Sequence, residues 1–179
     1  MAARRIGYFT CVEVGGRYLG ALMVTDGAGI PLEFKYTEPI RPTRIQAIIY
    51  GGALERYIKI EVIRGKLTKS LATRPELIFV DTSDLSLVGL CEGVPMVALQ
   101  RARIPHLDRP GDTRRPKENE LIVQAQAGSD PLRLIFGAAD GEQQDRVAAM
   151  LVELSGSMDP AEPLERVEQA LHALLREEA

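Results

Sequence analysis

Two glycine-bearing turns cut the first 36 residues into three β-rich runs, and this punctuation constrains the fold more than any other feature of the chain. Ile6–Val14 is dense in β-formers and ends at Gly15-Gly16. Tyr18–Thr25 is a second such run, closed by Asp26-Gly-Ala-Gly29. Ile30–Tyr36 alternates apolar and polar residues and tolerates Pro31 near its start. Short glycine turns between β-rich runs predict a three-stranded antiparallel meander. Asp26-Gly-Ala-Gly29 is glycine-rich enough to resemble a phosphate loop. Such a loop needs a helix N-terminus behind it to aim backbone N–H groups at the anion, and here a strand follows, so a hairpin turn is expected.

A helical region follows the connector 37–42. Pro42 suits a helix start, and Ile45, Ile48 and Ile49 share one helical face. Gly51-Gly52 interrupts the period, which Leu54, Tyr57, Ile58 and Val62 resume and Leu67 and Leu71 extend. Leu77–Val80 and Val94–Gln100 are short apolar runs of the kind buried on both faces of a sheet. A helix expected over Ser83–Leu90 would make the order helix–strand–helix–strand, a βαβ arrangement with parallel strands. Residues 101–118 carry three prolines and many charges and read as a long, mobile basic loop. Glu120–Gln126 and Leu132–Phe136 form a hairpin. Val147, Met150, Leu151 and Leu154, then Leu164, Val167, Leu171, Leu174 and Leu175, mark two amphipathic helices. The expected fold is α+β (mixed α/β). An antiparallel meander and a hairpin surround a short βαβ core, and a C-terminal helical hairpin closes the chain. Residues 1–139 form the mixed body and 140–179 an acidic helical hairpin packed on the same domain.

The 179 residues carry a net charge of −3, unevenly distributed. Residues 1–139 sum to +4 and 140–179 to −7, with a local +4 in 101–117. There is no tryptophan and aromatics are 5% of the chain, which leaves few platforms for stacking bases. Two cysteines, Cys11 and Cys91, and two histidines, His106 and His172, assemble no zinc site, and no metal or cofactor is expected. Reduced thiols and the lack of a long apolar stretch point to a cytoplasmic protein away from membranes. No Gly-x-Ser-x-Gly is present, Cys91 reads as a buried small hydrophobe, and no catalytic residue is assigned.

Three groups are candidate binding residues. The connector and helix start present Glu38, Arg41, Arg44 and Gln46 on a proline-stiffened frame, suited to a carboxylate or phosphate. Asp81 and Asp84 follow a buried strand, where α/β folds often place functional carboxylates, although Asp84 also fits a helix cap. Arg109, Arg114, Arg115 and Lys117 in the basic loop suit phosphate contacts.

The run from Val24 to Gln46, with Tyr50-Gly51, Leu54-Glu55 and Glu162–Val167, resembles a group of bacterial conserved proteins for which the resemblance implies no activity. Leu19–Leu32 resembles a strand pair of roadblock and longin-like modules, which implies a scaffolding role. With no catalytic set, a charge-segregated chain and a long basic loop, the expected function is a non-enzymatic subunit or adaptor that binds a protein partner in a bacterial cytoplasmic complex. Two alternatives stand beside it. One is a small enzyme or ligand-binding protein that uses Asp81 and Asp84 with Glu38, Arg41 and Arg44. The other is a nucleic-acid accessory protein that uses the basic loop.

Overall fold

The computed structural model describes residues 3–138 and 140–177. Met1, Ala2 and the boundary drawn at residue 139 lie outside them. The meander forms as the turns predict. β1 (Ile6–Val14) pairs antiparallel with β2 (Arg17–Thr25), and β2 with β3 (Pro31–Tyr36). Gly15 and Gly16 both adopt positive φ, the geometry of a two-residue hairpin turn. The Asp26 carboxylate accepts hydrogen bonds from the N–H groups of Ala28 and Ile30, so Asp26–Gly29 is a hairpin turn.

β4 (Leu77–Val80) runs parallel to both β1 and β6 (Val94–Arg101) and sits between them. β8 (Glu120–Val123) and β9 (Leu132–Ile135) form the second hairpin, with β9 antiparallel to β6. The sheet order is β3-β2-β1-β4-β6-β9-β8, and one further strand, β7 (Thr113–Lys117), lies beyond β8. The mixed α+β class is as expected, with nine strands in one sheet among the described residues.

Side chains alternate between the two faces. Ile6, Tyr8, Leu77, Phe79, Val97 and Leu99 point to one face and pack under α4 (Gly141–Ser155) and α5 (Glu162–Glu177). Phe9, Ile78, Val80, Met96 and Ala98 point to the other, beneath the segment 54–70. Strands covered on both sides read as continuous apolar runs, which is why Leu77–Val80 shows no polar alternation. Among the described residues no helix is long and apolar enough to cross a membrane.

The structure corrects three local expectations. First, residues 83–90 are not a helix. A 3-10 turn at Leu85–Leu87, capped by Asp84, leads into a short strand β5 (Gly89–Cys91) paired with β6. Gly89 at a φ of 140° takes the chain out of helical space. Second, Arg101 is the last residue of β6, and Thr113–Lys117 is the edge strand β7 rather than loop. Pro116 falls where the β7–β8 register shifts, a place where an edge strand tolerates proline. All five β7 residues are exposed, so no hydrophobic period marks them. Third, the segment 44–70 breaks at Gly51-Gly52 as expected, but beyond the break its winding is not uniformly α-helical. It runs α1 (Arg44–Tyr50), a 3-10 turn, α2 (Leu54–Tyr57), a π-helical stretch (Ile58–Arg64) and α3 (Gly65–Ser70). The wider π winding turns Ile60 and Ile63 inward with Ile58, while Val62 is only half-buried.

Two tethers hold the irregular connections. Thr37, almost fully buried, exchanges hydrogen bonds with Gly20 and fixes the connector against β2. Gln124 is 1% exposed. Its side chain accepts from Leu107 N–H and donates to the carbonyls of Gln126 and Ser129, while its backbone bonds Asp112 and Gly111. One buried amide thus ties 102–112 to the β8–β9 turn.

Gly20 lets the π-helical stretch lie flat on β2, because an added Cβ would fall well inside van der Waals contact with Ile63 Cγ2. Gly20→Ala should destabilise the fold by about 1–3 kcal/mol through overpacking. In an Ile63→Ala background the same change should cost clearly less. Urea unfolding of the four proteins in the cycle measures both effects.

Candidate functional site: a notch at the end of the central strand

β4 stops at Val80, opposite Phe9 and Ala98, while β1 continues to Val14 and β6 to Arg101. The two longer strands therefore stand apart above the end of the short one. The notch is a cleft of about 370 Å³ with Asp81 at its floor, Thr10 to Val12 on one wall and Leu99 to Arg101 on the other. It opens at the C-terminal edge of the three parallel strands, where open α/β sheets place ligands.

The floor is rigid. The Asp81 carboxylate accepts from Ser83 N–H at 2.7 Å, and Thr82 Oγ1 donates to Gln100 Oε1 at 2.7 Å, joining floor to wall. Asp84 bonds Ser86 N–H and Oγ and pairs with Lys59 Nζ at 2.9 Å. Lys59 also holds Glu55. Burial works to raise the Asp84 carboxyl, but the hydrogen bonds from Ser86 and Lys59 outweigh it and keep it below its ordinary value. Burial likewise works against charge on Lys59, and its two carboxylate partners overcome this and raise it. On the far wall Arg101 bridges from β6 to Asp159 and Glu165 of the α5 region. Burial pushes the Cys11 thiol up to about 12, so at neutral pH it is protonated and a poor nucleophile. Thr10 Oγ1, buried in the same cleft, has no partner among the described residues.

Of the residues singled out from sequence, the notch gathers Asp81 and Asp84. Asp84 serves as the expected cap, of a 3-10 turn, and as the partner of Lys59. The connector residues do not line the cleft. Gln46 is spent on the capping box of α1, where its side chain accepts from Thr43 N–H and its own N–H donates to Thr43. Glu38, Arg41 and Arg44 are exposed, on a connector that bridges Ile40 to Tyr18 beyond β2. Arg115 is engaged by Gln144 and Asp145 of α4. Arg109 lies in the stretch 102–112, which starts at the C-terminal end of β6 and runs over the same sheet edge toward β7. Arg114 and Lys117 lie along β7. Sequence reasoning missed Lys59 and Arg101. A Glu55–Lys59 spacing of four was the only trace of the first, and a basic residue at a strand end the only trace of the second.

Most of the charge segregation is spent inside the molecule. Arg4 pairs with Glu76 and Glu153, Arg101 with Asp159 and Glu165, and Arg115 with Asp145. Arginines Arg17, Arg41, Arg103 and Arg109 form no salt bridge among the described residues.

No family model and no curated protein sequence matches the chain. Solved structures do. An Endonuclease V from Streptomyces avermitilis superposes with a TM-score of 0.59 at 16% identity, covering 97% of this chain and 82% of that one. The Bacillus subtilis Endonuclease V gives 0.57 at 13% identity, over 98% and 81%. A Ciona intestinalis Endonuclease V, in complex with DNA containing an inosine followed by a ribo-adenosine, gives 0.56 at 9% identity, over 99% and 88%. At these identities the likeness establishes the fold. It also overturns the resemblance to an unassigned bacterial group and to roadblock or longin-like modules. The expectation of a non-enzymatic adaptor falls with it. Its physical motive is gone too, since the acidic helices find their basic partners within the chain.

Asp84, held below its ordinary value, contributes stability that is complete above about pH 4 and is lost as the pH falls through its lowered folded value. Lys59, raised, contributes stability that is complete below its unfolded value and is lost only as the pH rises through the higher folded one. Lys59→Met should therefore cost about 1–3 kcal/mol at neutral pH, and Asp84→Asn should flatten the acid limb of the stability curve. Chemical unfolding as a function of pH reads both.

Proposed function

We propose that the protein binds nucleic acid along the sheet edge that carries the notch. The observation that supports this most is the placement of four of the arginines that form no salt bridge among the described residues. Arg17 and Arg41 stand at this edge on the β1–β2 side of the notch, and Arg103 and Arg109 in 102–112 stand on the β6–β9 side. Exposed guanidinium groups without acidic partners attract phosphates at low desolvation cost and suit bidentate phosphate contacts. The shared fold agrees with this reading, because the Ciona intestinalis neighbour is held on DNA.

The notch itself is the negative part of that edge, so a phosphate backbone is held by the flanks rather than by the floor. Asp84 and Glu165 are neutralised by Lys59 and Arg101, and Asp81 and Glu168 are the lining carboxylates without a Lys or Arg partner among the described residues. Hydrolysis of a phosphodiester by paired metal ions needs a cluster of ligands. Among the described residues no group of three His, Cys, Asp or Glu side chains is placed to hold an ion. The donor set does not fit such a centre, and the reading is one of binding, without a cleavage step.

Fluorescence anisotropy with labelled single- and double-stranded oligonucleotides should show binding that weakens steeply as salt rises. Replacing Arg103 and Arg109 together by Gln should lower the slope of log affinity against log salt by about 2, nearly one unit per lost phosphate contact. Arg115→Gln, which breaks only an internal pair, should leave the slope unchanged. No binding of either oligonucleotide at low salt would overturn the proposal.

A further inference from the structure

Two apolar surfaces on the β3 side of the molecule have no partner among the described residues. The first is α1. None of its seven residues is buried, and Ile45, Ile48 and Ile49, one helical face, are 64%, 67% and 74% exposed. A single β-branched-rich helix of seven residues is far below the length that holds in water by itself, so its stability depends on something packed against that face. The second is the edge strand β3. Leu32, Phe34 and Tyr36, at alternate positions, are 49%, 37% and 52% exposed, with the Phe34 and Tyr36 rings 5.9 Å apart. Their pairing with Met23 and Ala21 puts them on the α5 face of the sheet, where α5 covers β1 and β2.

We infer that these surfaces cover each other between two copies of the chain, the isoleucine face of α1 of each copy lying on the Leu32-Phe34-Tyr36 stripe of the other. A helix on an apolar sheet face is the packing that α5 already makes over β1 and β2 within one chain. The helix and the stripe are separated by only the seven residues 37–43, so a two-fold axis passing near the connector brings both contacts together, as an isologous interface requires. The area is also sufficient. The six residues, between 37% and 74% exposed, offer on the order of 600 Å² per copy, or about 1,200 Å² in total, where stable interfaces begin. A sole contact of helix with helix, or of stripe with stripe, would bury about half as much. This inference uses neither the notch nor Arg103 and Arg109, and of the surface in the nucleic-acid reading it shares only the connector that carries Arg41.

Sedimentation of the full chain across the micromolar range tests it. Wild type should be a reversible dimer. Ile45→Glu with Ile49→Glu should weaken dimerisation at least about tenfold, while far-UV circular dichroism and the oligonucleotide affinity per chain hold. A mixture of Ile48→Cys chains and Phe34→Cys chains, under mild oxidation, should give a disulfide-linked heterodimer mapped to those two positions, and each variant alone should not cross-link at its new cysteine. A monomeric wild type, a dimer indifferent to the double charge substitution, or self-linked Ile48→Cys chains would each overturn the inference.

Discussion

The whole arrangement hangs on four apolar residues. Leu77–Val80 pair in parallel with β1 on one side and β6 on the other, and every one of their side chains is buried. Leu77 and Phe79 hold the face under α4 and α5, and Ile78 and Val80 hold the face under the π-helical segment. A strand this short between two longer ones leaves its neighbours unpaired beyond Val80, and that mismatch in length is what opens the notch. Asp81, the first polar residue after the run, falls at its floor for the same reason.

Charge then decides what the notch can hold. Lys59 and Arg101 come from opposite sides of the sheet and each neutralises carboxylates that would otherwise crowd the cleft. The same pairing draws the acidic C-terminal helices onto the basic body, and Arg17, Arg41, Arg103 and Arg109, which form no salt bridge among the described residues, stand on either side of the cleft. The β4–β6 connection is only long enough for a 3-10 turn and a three-residue strand, which keeps Asp84 within reach of Lys59.

Where backbone propensity and burial act together, the sequence was readable. Gly15-Gly16 and Asp26–Gly29 announced the meander, Leu77–Val80 the doubly covered strand, and the stripes through Val147–Leu154 and Leu164–Leu175 the two long helices. Where structure is set by partners far along the chain, it was not. β7 has five exposed residues and exists because β8 offers it an edge. The stretch 102–112 is shaped by a single buried amide, Gln124, which carries no signal of that role in its neighbours. The π winding around Lys59 and the reach of Arg101 to Asp159 and Glu165 depend on tertiary packing. That Asp81 and Asp84 would fall together at a sheet edge was legible, because the end of a buried parallel strand has a fixed place in the fold. Glu38, Arg41 and Arg44 were not separable from them, since only the fold shows that the connector lies outside the cleft.

In the proposed function this sheet edge, and no other surface, meets nucleic acid. Amide hydrogen exchange of the full chain with and without an oligonucleotide at low salt tests it most directly. Exchange should slow in 102–112 and in the connector 37–43, with the opposite sheet edge around 117–120 unchanged. Protection confined to that opposite edge, or none anywhere at saturating oligonucleotide, would contradict it.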